Sequence, residues 1–152
     1  MNLQQLGSNT NYPQKPEDAI LECFDNQHKD RIYLVPFIQE RDEFTSLCPV
    51  TKQPDMARME IIYVPEIKMI ESKALKLYLF SFRNTGAFHE VVCNRITDDL
   101  FNVMKPKYLR VIGNFAPRGG IAIKPLVERW GTSEKETVEN IKRLVDMWDS
   151  KK

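Results

Sequence analysis

Ser72-Lys73-Ala74-Leu75-Lys76-Leu77-Tyr78-Leu79-Phe80-Ser81-Phe82-Arg83-Asn84 is a mostly apolar run whose reading as strand or helix decides the fold class. In a strand, Lys73 and Lys76 point to opposite faces, because side chains alternate with period two. At helical spacing Lys73, Lys76 and Arg83 share one side. The run is therefore predicted to be a largely buried helix with one basic stripe. Just beyond it, residues 88–104 put His89, Val92, Cys93, Ile96, Leu100, Val103 and Met104 on one helical face, and Pro106 stops that helix.

Strands are predicted on both sides of this helical pair. Residues 31–39 and 57–64 are dense in β-branched and aromatic side chains, with Pro65 closing the second. Residues 108–115 and 121–128 read as two more, joined across Ala116-Pro117-Arg118-Gly119-Gly120 as an antiparallel hairpin. Ser133 and Glu136 have capping-box spacing, and Val138, Ile141, Val145 and Trp148 form an apolar stripe, so a helix ends the chain. Strands grouped at both ends with two helices between them predict an α+β domain. Its antiparallel sheet carries two long helices on one face, plus the C-terminal helix. Residues 1–17, rich in Gln, Asn, Ser and Pro without periodicity, read as a flexible N-terminal arm, and residues 18–152 as a single domain.

The bulk properties narrow the function classes. A chain of 152 residues with 42% hydrophobic and 28% charged residues suits one soluble domain with a real core. No apolar run reaches membrane-spanning length, and the N-terminus has no secretory-signal pattern, so a cytoplasmic protein without a membrane partner is expected. The formal net charge of +1, with Lys and Arg spread along the chain, gives no reason to expect a nucleic-acid surface. Cys23, Cys48 and Cys93 are odd in number and form no Cys-x-x-Cys unit. With only 2 histidines beside them, a four-ligand zinc site cannot be written, and no metal is expected.

Two places carry candidate chemistry. Cys48 precedes Pro49 in a loop and Asp55 follows across Pro54, so the side chains meet if the loop folds back. A thiolate attacks an electrophilic carbon, and a carboxylic acid beside it delivers a proton to the adduct. Lys52 is a candidate for lowering the thiol pKa. The same residues also suit a half-buried structural cysteine beside a turn-forming aspartate, and local sequence leaves both readings open. Phe88-His89-Glu90 opens the second helix, where Glu90 can accept paired hydrogen bonds from a heterocycle; a packed core histidine is the plainer role for His89. Lys73, Lys76, Arg83 and Arg118 can hold phosphates or form a solvated face. There is no Gly-rich dinucleotide fingerprint and no P-loop.

Taken in order, several segments resemble the short, single-module NADPH-dependent 7-cyano-7-deazaguanine reductases of the QueF type. They are Glu43-Phe44-Thr45-Ser46-Leu47-Cys48-Pro49-Val50-Thr51 with Gln53-Pro54-Asp55, Glu71-Ser72-Lys73-Ala74-Leu75-Lys76-Leu77-Tyr78, Phe82-Arg83-Asn84, Phe88-His89-Glu90 and Pro117-Arg118-Gly119-Gly120. The resemblance implies a tunnelling fold that assembles with copies of itself into a ring with inter-subunit active sites. It further implies an oxidoreductase that uses NADPH to reduce the nitrile of 7-cyano-7-deazaguanine to 7-aminomethyl-7-deazaguanine, on the route to queuosine in tRNA. Cys48 then forms a thioimidate and Asp55 supplies protons. Ile70, Glu71, Ser72, His89 and Glu90 bind substrate, and Lys73, Lys76 and Arg118 contact NADPH.

Two departures stand out. The family has Gly where this chain has Lys52. Some relatives also pair the nucleophile with a second cysteine just after the His-Glu pair; here Cys93 comes one position later and on the core face, which argues against a Cys48–Cys93 disulfide. Two other classes remain: a tunnelling-fold cyclohydrolase or pterin enzyme, whose zinc-dependent members need ligands this chain lacks at suitable spacing, and a non-catalytic purine-binding protein.

Overall fold

In the computed structural model, which describes residues 3–4 and 6–152, the long strand β4 (Pro54–Val64) organises the chain. To name it in chain order, it follows β1 (Cys23–Asp25), β2 (Val35–Ile38) and β3 (Phe44–Leu47), and precedes β5 (Lys68–Ile70). Helix α1 (Ser72–Phe80) runs on into a 3-10 turn (Ser81–Asn84), and then come α2 (His89–Met104), β6 (Tyr108–Phe115), β7 (Leu126–Trp130) and α3 (Lys135–Asp149). One edge of β4 pairs with β6 from Ala57↔Phe115 to Val64↔Tyr108. The other edge takes β3 along its first residues and β2 along its later ones. β7 flanks β6, every pairing is antiparallel, and β1 with β5 forms a separate ribbon.

The burial pattern of β4 shows how the layers lie. Asp55, Ala57, Met59 and Ile61 are buried while Pro54, Met56 and Arg58 are exposed, the period-two pattern of a strand covered on one face. Ala57, Met59, Ile61 and Tyr63 pack against Val92, Cys93, Ile96 and Leu100 of α2 and Leu75, Tyr78 and Leu79 of α1. From Ile61 to Val64 every residue is buried, because Ile141 and Val145 of α3 cover Val64 and Tyr108 on the opposite face. The α+β architecture with two helices on one face is therefore as the periodicities predict.

An ion pair fastens α3 to the sheet. Arg110 is 4% exposed, and its two terminal nitrogens donate to both carboxylate oxygens of Asp149 at 2.8 and 2.7 Å. That hydrogen bonding, with the guanidinium charge, holds the Asp149 carboxyl below its ordinary range.

Several expectations are corrected. The strand expected at 121–128 begins only at Leu126, with Ile112↔Leu126 as its last ladder pair. Gly119 and Gly120, both at positive φ, close a tight turn whose one bridge is Arg118↔Ile121. Residues 121–124 lie outside the ladder, which begins at Leu126 just after Pro125, a residue with no N–H to donate. The expected capping box at Ser133 does not form. Glu134 is the N-cap, accepting from Glu136 N and Thr137 N, since its longer side chain reaches both amides from one residue later. The strand at 31–39 shortens to Val35–Ile38, and β1, β3 and β5 are too short to be recognised by periodicity.

Of the predicted arm, Met1, Asn2 and Gln5 lie outside the described residues. Further along, Ser8 O accepts from Lys73 Nζ at 3.1 Å. Pro13 O and Gln14 Oε1 each accept from Arg83 at 2.9 Å, so this stretch lies along α1. Among the described residues, no helix is long and apolar enough to cross a membrane.

Replacing Asp149 with Ala strands the buried Arg110 charge. Because Asp149 is itself half-exposed and water enters in its place, the expected loss is about 2 kcal/mol, at the low end for a buried charged group. Urea unfolding of the Asp149→Ala protein should show the unfolding free energy falling by that amount, read as a lower midpoint at unchanged slope; an unchanged midpoint means that α3 is held by its apolar contacts alone.

Candidate functional site

Antiparallel pairing of β3 with β4 sets Ser46 opposite Asp55 and Leu47 opposite Pro54, so residues 48–53 must turn back sharply. Cys48 N donates to Gln53 O at 2.9 Å and Lys52 N to Cys48 O at 3.0 Å. Lys52 has φ of 61°, a left-handed conformation that costs a side-chain-bearing residue roughly 1–2 kcal/mol and that glycine adopts freely. That is why glycine suits this place in the loop. Thr51 N lies 3.4 Å from Cys48 Sγ, so the turn folds its own amides over the sulfur.

The segment ahead of α2 is tied to the same strand. Leu47 N donates to Thr85 O at 2.9 Å and Ala87 N to Leu47 O at 3.1 Å. The N-terminus of α2 therefore begins beside the thiol loop. Its N-cap, Phe88, has no side-chain acceptor to offer the first-turn amides. Cys48, Asp55, Phe88, His89, Glu90 and Arg118 come together around a cavity of about 340 Å³, with Ile121 and Ile123 on its apolar side.

Asp55 is 4% exposed and lies on the face of β4 that packs against the helices, where the apolar row ends. Arg118 Nη1 donates to its Oδ1 at 2.7 Å, and His89 Nε2 stands 3.3 Å from its Oδ2. Arg118 also donates through Nη2 to Gln53 Oε1 at 2.7 Å and Thr51 Oγ1 at 3.3 Å. One guanidinium thus clamps the thiol loop to the acid.

The Cys48 thiol is lowered from 9.0 to about 7. The Thr51 hydroxyl contributes most, followed by the Thr51 and Val50 amides, with Arg118 adding to them. Lys52, expected to supply that field, is not among the causes; its ammonium extends past Pro49 toward Gly86. Cys93 does not face this cavity. It is fully buried against Gly113, where burial raises its thiol to about 12, and Cys23, Cys48 and Cys93 are all free.

The other predicted residues lie elsewhere in the chain. Ile70 is a core residue of β5. Glu71 caps α1, its carboxylate accepting from Lys73 N and Ala74 N at 2.9 and 2.8 Å, with Ser72 Oγ donating to it as well. Lys73 and Lys76 line a different groove, of about 330 Å³, with Tyr12, Gln39, Glu43 and Phe80. Thr51, Gln53, Ile121 and Ile123 are contributors that pattern reading did not single out. The alternation of Ile121 and Ile123 reads as a strand, and only the tertiary position of Arg118 reveals their cavity-lining role.

Known proteins resemble this chain in sequence and in fold. A family model described as QueF-like protein matches residues 54–136. An NADPH-dependent 7-cyano-7-deazaguanine reductase of Bacteroides thetaiotaomicron is 52% identical over 140 residues, covering 91% of this chain and 91% of that protein. One of Neisseria meningitidis serogroup B is 59% identical over 116 residues, covering 76% of this chain and 73% of that protein. In three dimensions, the apo crystal structure of the archaeosine synthase QueF-Like superposes with a TM-score of 0.56 at 18% identity. It covers 66% of this chain and 94% of that one, a likeness of fold that supports the tunnelling-fold assignment. On sequence identity over most of its length, the chain belongs to the family of NADPH-dependent 7-cyano-7-deazaguanine reductases.

Proposed function

We propose that this chain reduces the nitrile of 7-cyano-7-deazaguanine to the primary amine through a thioimidate on Cys48, a step toward queuosine. The observation that carries the reading is the meeting, in one cavity, of a thiol lowered to about 7, a buried carboxyl and the Glu90 carboxylate. The Cys48 thiolate adds to the nitrile carbon, and the nitrogen takes its proton from Asp55. The sulfur later leaves with its electron pair as the carbon–nitrogen double bond of an imine forms. Arg118 and the Thr51 amide stabilise the thiolate both before attack and on departure. Glu90 accepts the paired N–H donors of the deazaguanine edge beside the α2 N-terminus. Ile121 and Ile123 limit water at the imine.

NADPH, when bound, supplies one hydride to each of the two reduction stages. Lys73 and Lys76 stand a helical turn apart beside a groove floored by Leu77 and Leu79, a donor set that fits anionic phosphates. Arg118 lies at the reacting end instead, so in this reading its cofactor contact is local to the thiol. The groove and the cavity flank opposite ends of β3, and Ile70, Glu71 and Ser72 stand outside the cavity. Self-association into a ring, with residues 70–72 of a second copy closing the cavity, accounts for both separations. Residues 18–152 form the catalytic domain, with the N-terminal arm on α1 and α3 on the back of the sheet serving assembly.

Purified protein given 7-cyano-7-deazaguanine and NADPH should consume two NADPH for each amine formed, followed by cofactor absorbance and product mass. Cys48→Ala should abolish turnover and the covalent adduct seen by mass spectrometry with substrate alone. A Cys48→Ala protein that still oxidises NADPH with the nitrile disproves the mechanism. Asp55→Asn should keep the fold and lose at least about 100-fold in kcat, the scale of an acid catalyst.

Thiolate chemistry should follow the lowered thiol. As pH rises through about 7, the fraction of Cys48 thiolate and hence its iodoacetamide alkylation rate should rise to a plateau. Thr51→Val should move that midpoint upward. Lys52→Gly should leave it in place while stabilising the loop by about 0.5–1 kcal/mol through release of the left-handed strain. A Lys52→Gly protein with a raised midpoint would restore Lys52 as the controlling charge.

A further inference from the structure

We infer that Phe115 is a positioning residue. Stacked on His89, it fixes the imidazole with Nε2 toward Asp55 and Nδ1 sealed, so that His89 orients the acid without relaying protons to it. The inference rests on the proposed role of Asp55, and its geometry is independent of that role. The His89 and Phe115 rings lie 3.9 Å apart and within 10° of parallel. Phe115 is 2% exposed at the end of β6, and Phe44 meets its ring edge-on, at 6.2 Å and 88°.

The phenyl ring keeps this place because Gly113 has no side chain. A Cβ at Gly113 would fall 2.7 Å from Phe115 Cε2 and 2.6 Å from Cys93 Sγ, closer than atoms can approach. Phe115 therefore lies back over Gly113, bounded by Phe44, and presents a flat wall to the imidazole. The ring of His89 has little freedom to tilt.

Its two nitrogens then meet opposite environments. Nε2 stands 3.3 Å from Asp55 Oδ2, whereas Nδ1 is buried with no hydrogen-bond partner. A neutral imidazole carries one N–H and one lone pair. In the substrate-free protein above neutral pH, with Asp55 ionised, a lone pair on Nε2 would face the carboxylate oxygen, and a proton on Nδ1 would have no acceptor in either state of Asp55, so both select the Nε2–H tautomer there. For His89 to pass that proton to Asp55, Nδ1 would have to take up another, leaving a buried N–H without an acceptor. On this reading, the proton that Asp55 gives to the substrate nitrogen is not replaced through His89.

The test is nitrogen NMR of protein labelled at histidine, above neutral pH and without substrate or cofactor. Because the chain has 2 histidines, His28→Gln assigns the His89 signals. The wild type should show a protonated Nε2 and a bare, unbonded Nδ1. Phe115→Leu should let water reach Nδ1, shifting its resonance toward the hydrogen-bonded range and mixing the tautomers. It should also lower kcat about 10- to 100-fold with KM changed less than about two-fold, the scale of a misplaced catalytic group.

Should Phe115→Leu fail to fold, Gly113→Ala combined with Cys93→Ala relieves the sulfur clash and pushes only the Phe115 ring; the same nitrogen shift is expected. A wild-type spectrum with the proton on Nδ1 overturns the inference. So does a folded Phe115→Leu protein, or that double variant, with unaltered His89 nitrogens. Because the spectrum needs no turnover, a failed reductase reading leaves the His89 result standing or falling by itself.

Discussion

The cross-strand register of β3 on β4 is the constraint from which the site follows. With Ser46 opposite Asp55, the turn that joins the strands has only residues 48–53 in which to reverse. The sulfur at the start of the turn is thereby brought to the same cavity as the carboxyl just past its end. Shifting the register by one residue would move Asp55 to the outer face of β4, beside exposed Met56, and turn the apolar row of Ala57, Met59 and Ile61 outward with it. The hydrophobic core therefore enforces the position of the acid.

The same strand joins the second half of the site to the first. β6 pairs with β4 from Ala57 to Val64, so Phe115 lies opposite Ala57 and the chain beyond it emerges near Asp55. Arg118 takes up that proximity, binding Asp55, Gln53 and Thr51 at once. Exposed ion pairs contribute little to stability, but this one has a buried carboxylate and two neutral acceptors, so its energy is spent on geometry. It connects the thiol turn and the start of β4, which follow one another, to the Gly119-Gly120 turn more than 60 residues away.

Much of this was legible in the sequence, and the limits have physical causes. Helices α1 and α2 are long enough for their helical spacing to show, and strands β4 and β6 for their β-branched and aromatic content to show. Cys48, Asp55, His89, Glu90 and Arg118 were nameable from local motifs, yet their convergence on one cavity depends on sheet pairing. Charge-counting pointed to Lys52 as the influence on Cys48, whereas oriented dipoles of Thr51 and Val50 a few ångströms from the sulfur outweigh a lysine directed toward Gly86. Residues 121–128 are rich in strand-forming side chains, but Pro125 has no N–H to give to a ladder, and the strand begins directly after it at Leu126.

A thiol lowered to about 7 also suits a chemistry in which the sulfur attacks and then departs. Lowering a thiol pKa raises the thiolate fraction but weakens each thiolate as a nucleophile, and the optimum lies near ambient pH. A thiolate of lower pKa also leaves more readily. The Thr51 hydroxyl, the turn amides and Arg118 favour the anion both before bond formation and after bond cleavage, while the neutral adduct between gains less from them. In the proposed mechanism, such an arrangement keeps the covalent adduct from becoming a trap, and forward commitment then depends on protonation of the nitrogen and hence on the orientation of Asp55 between Arg118 and His89.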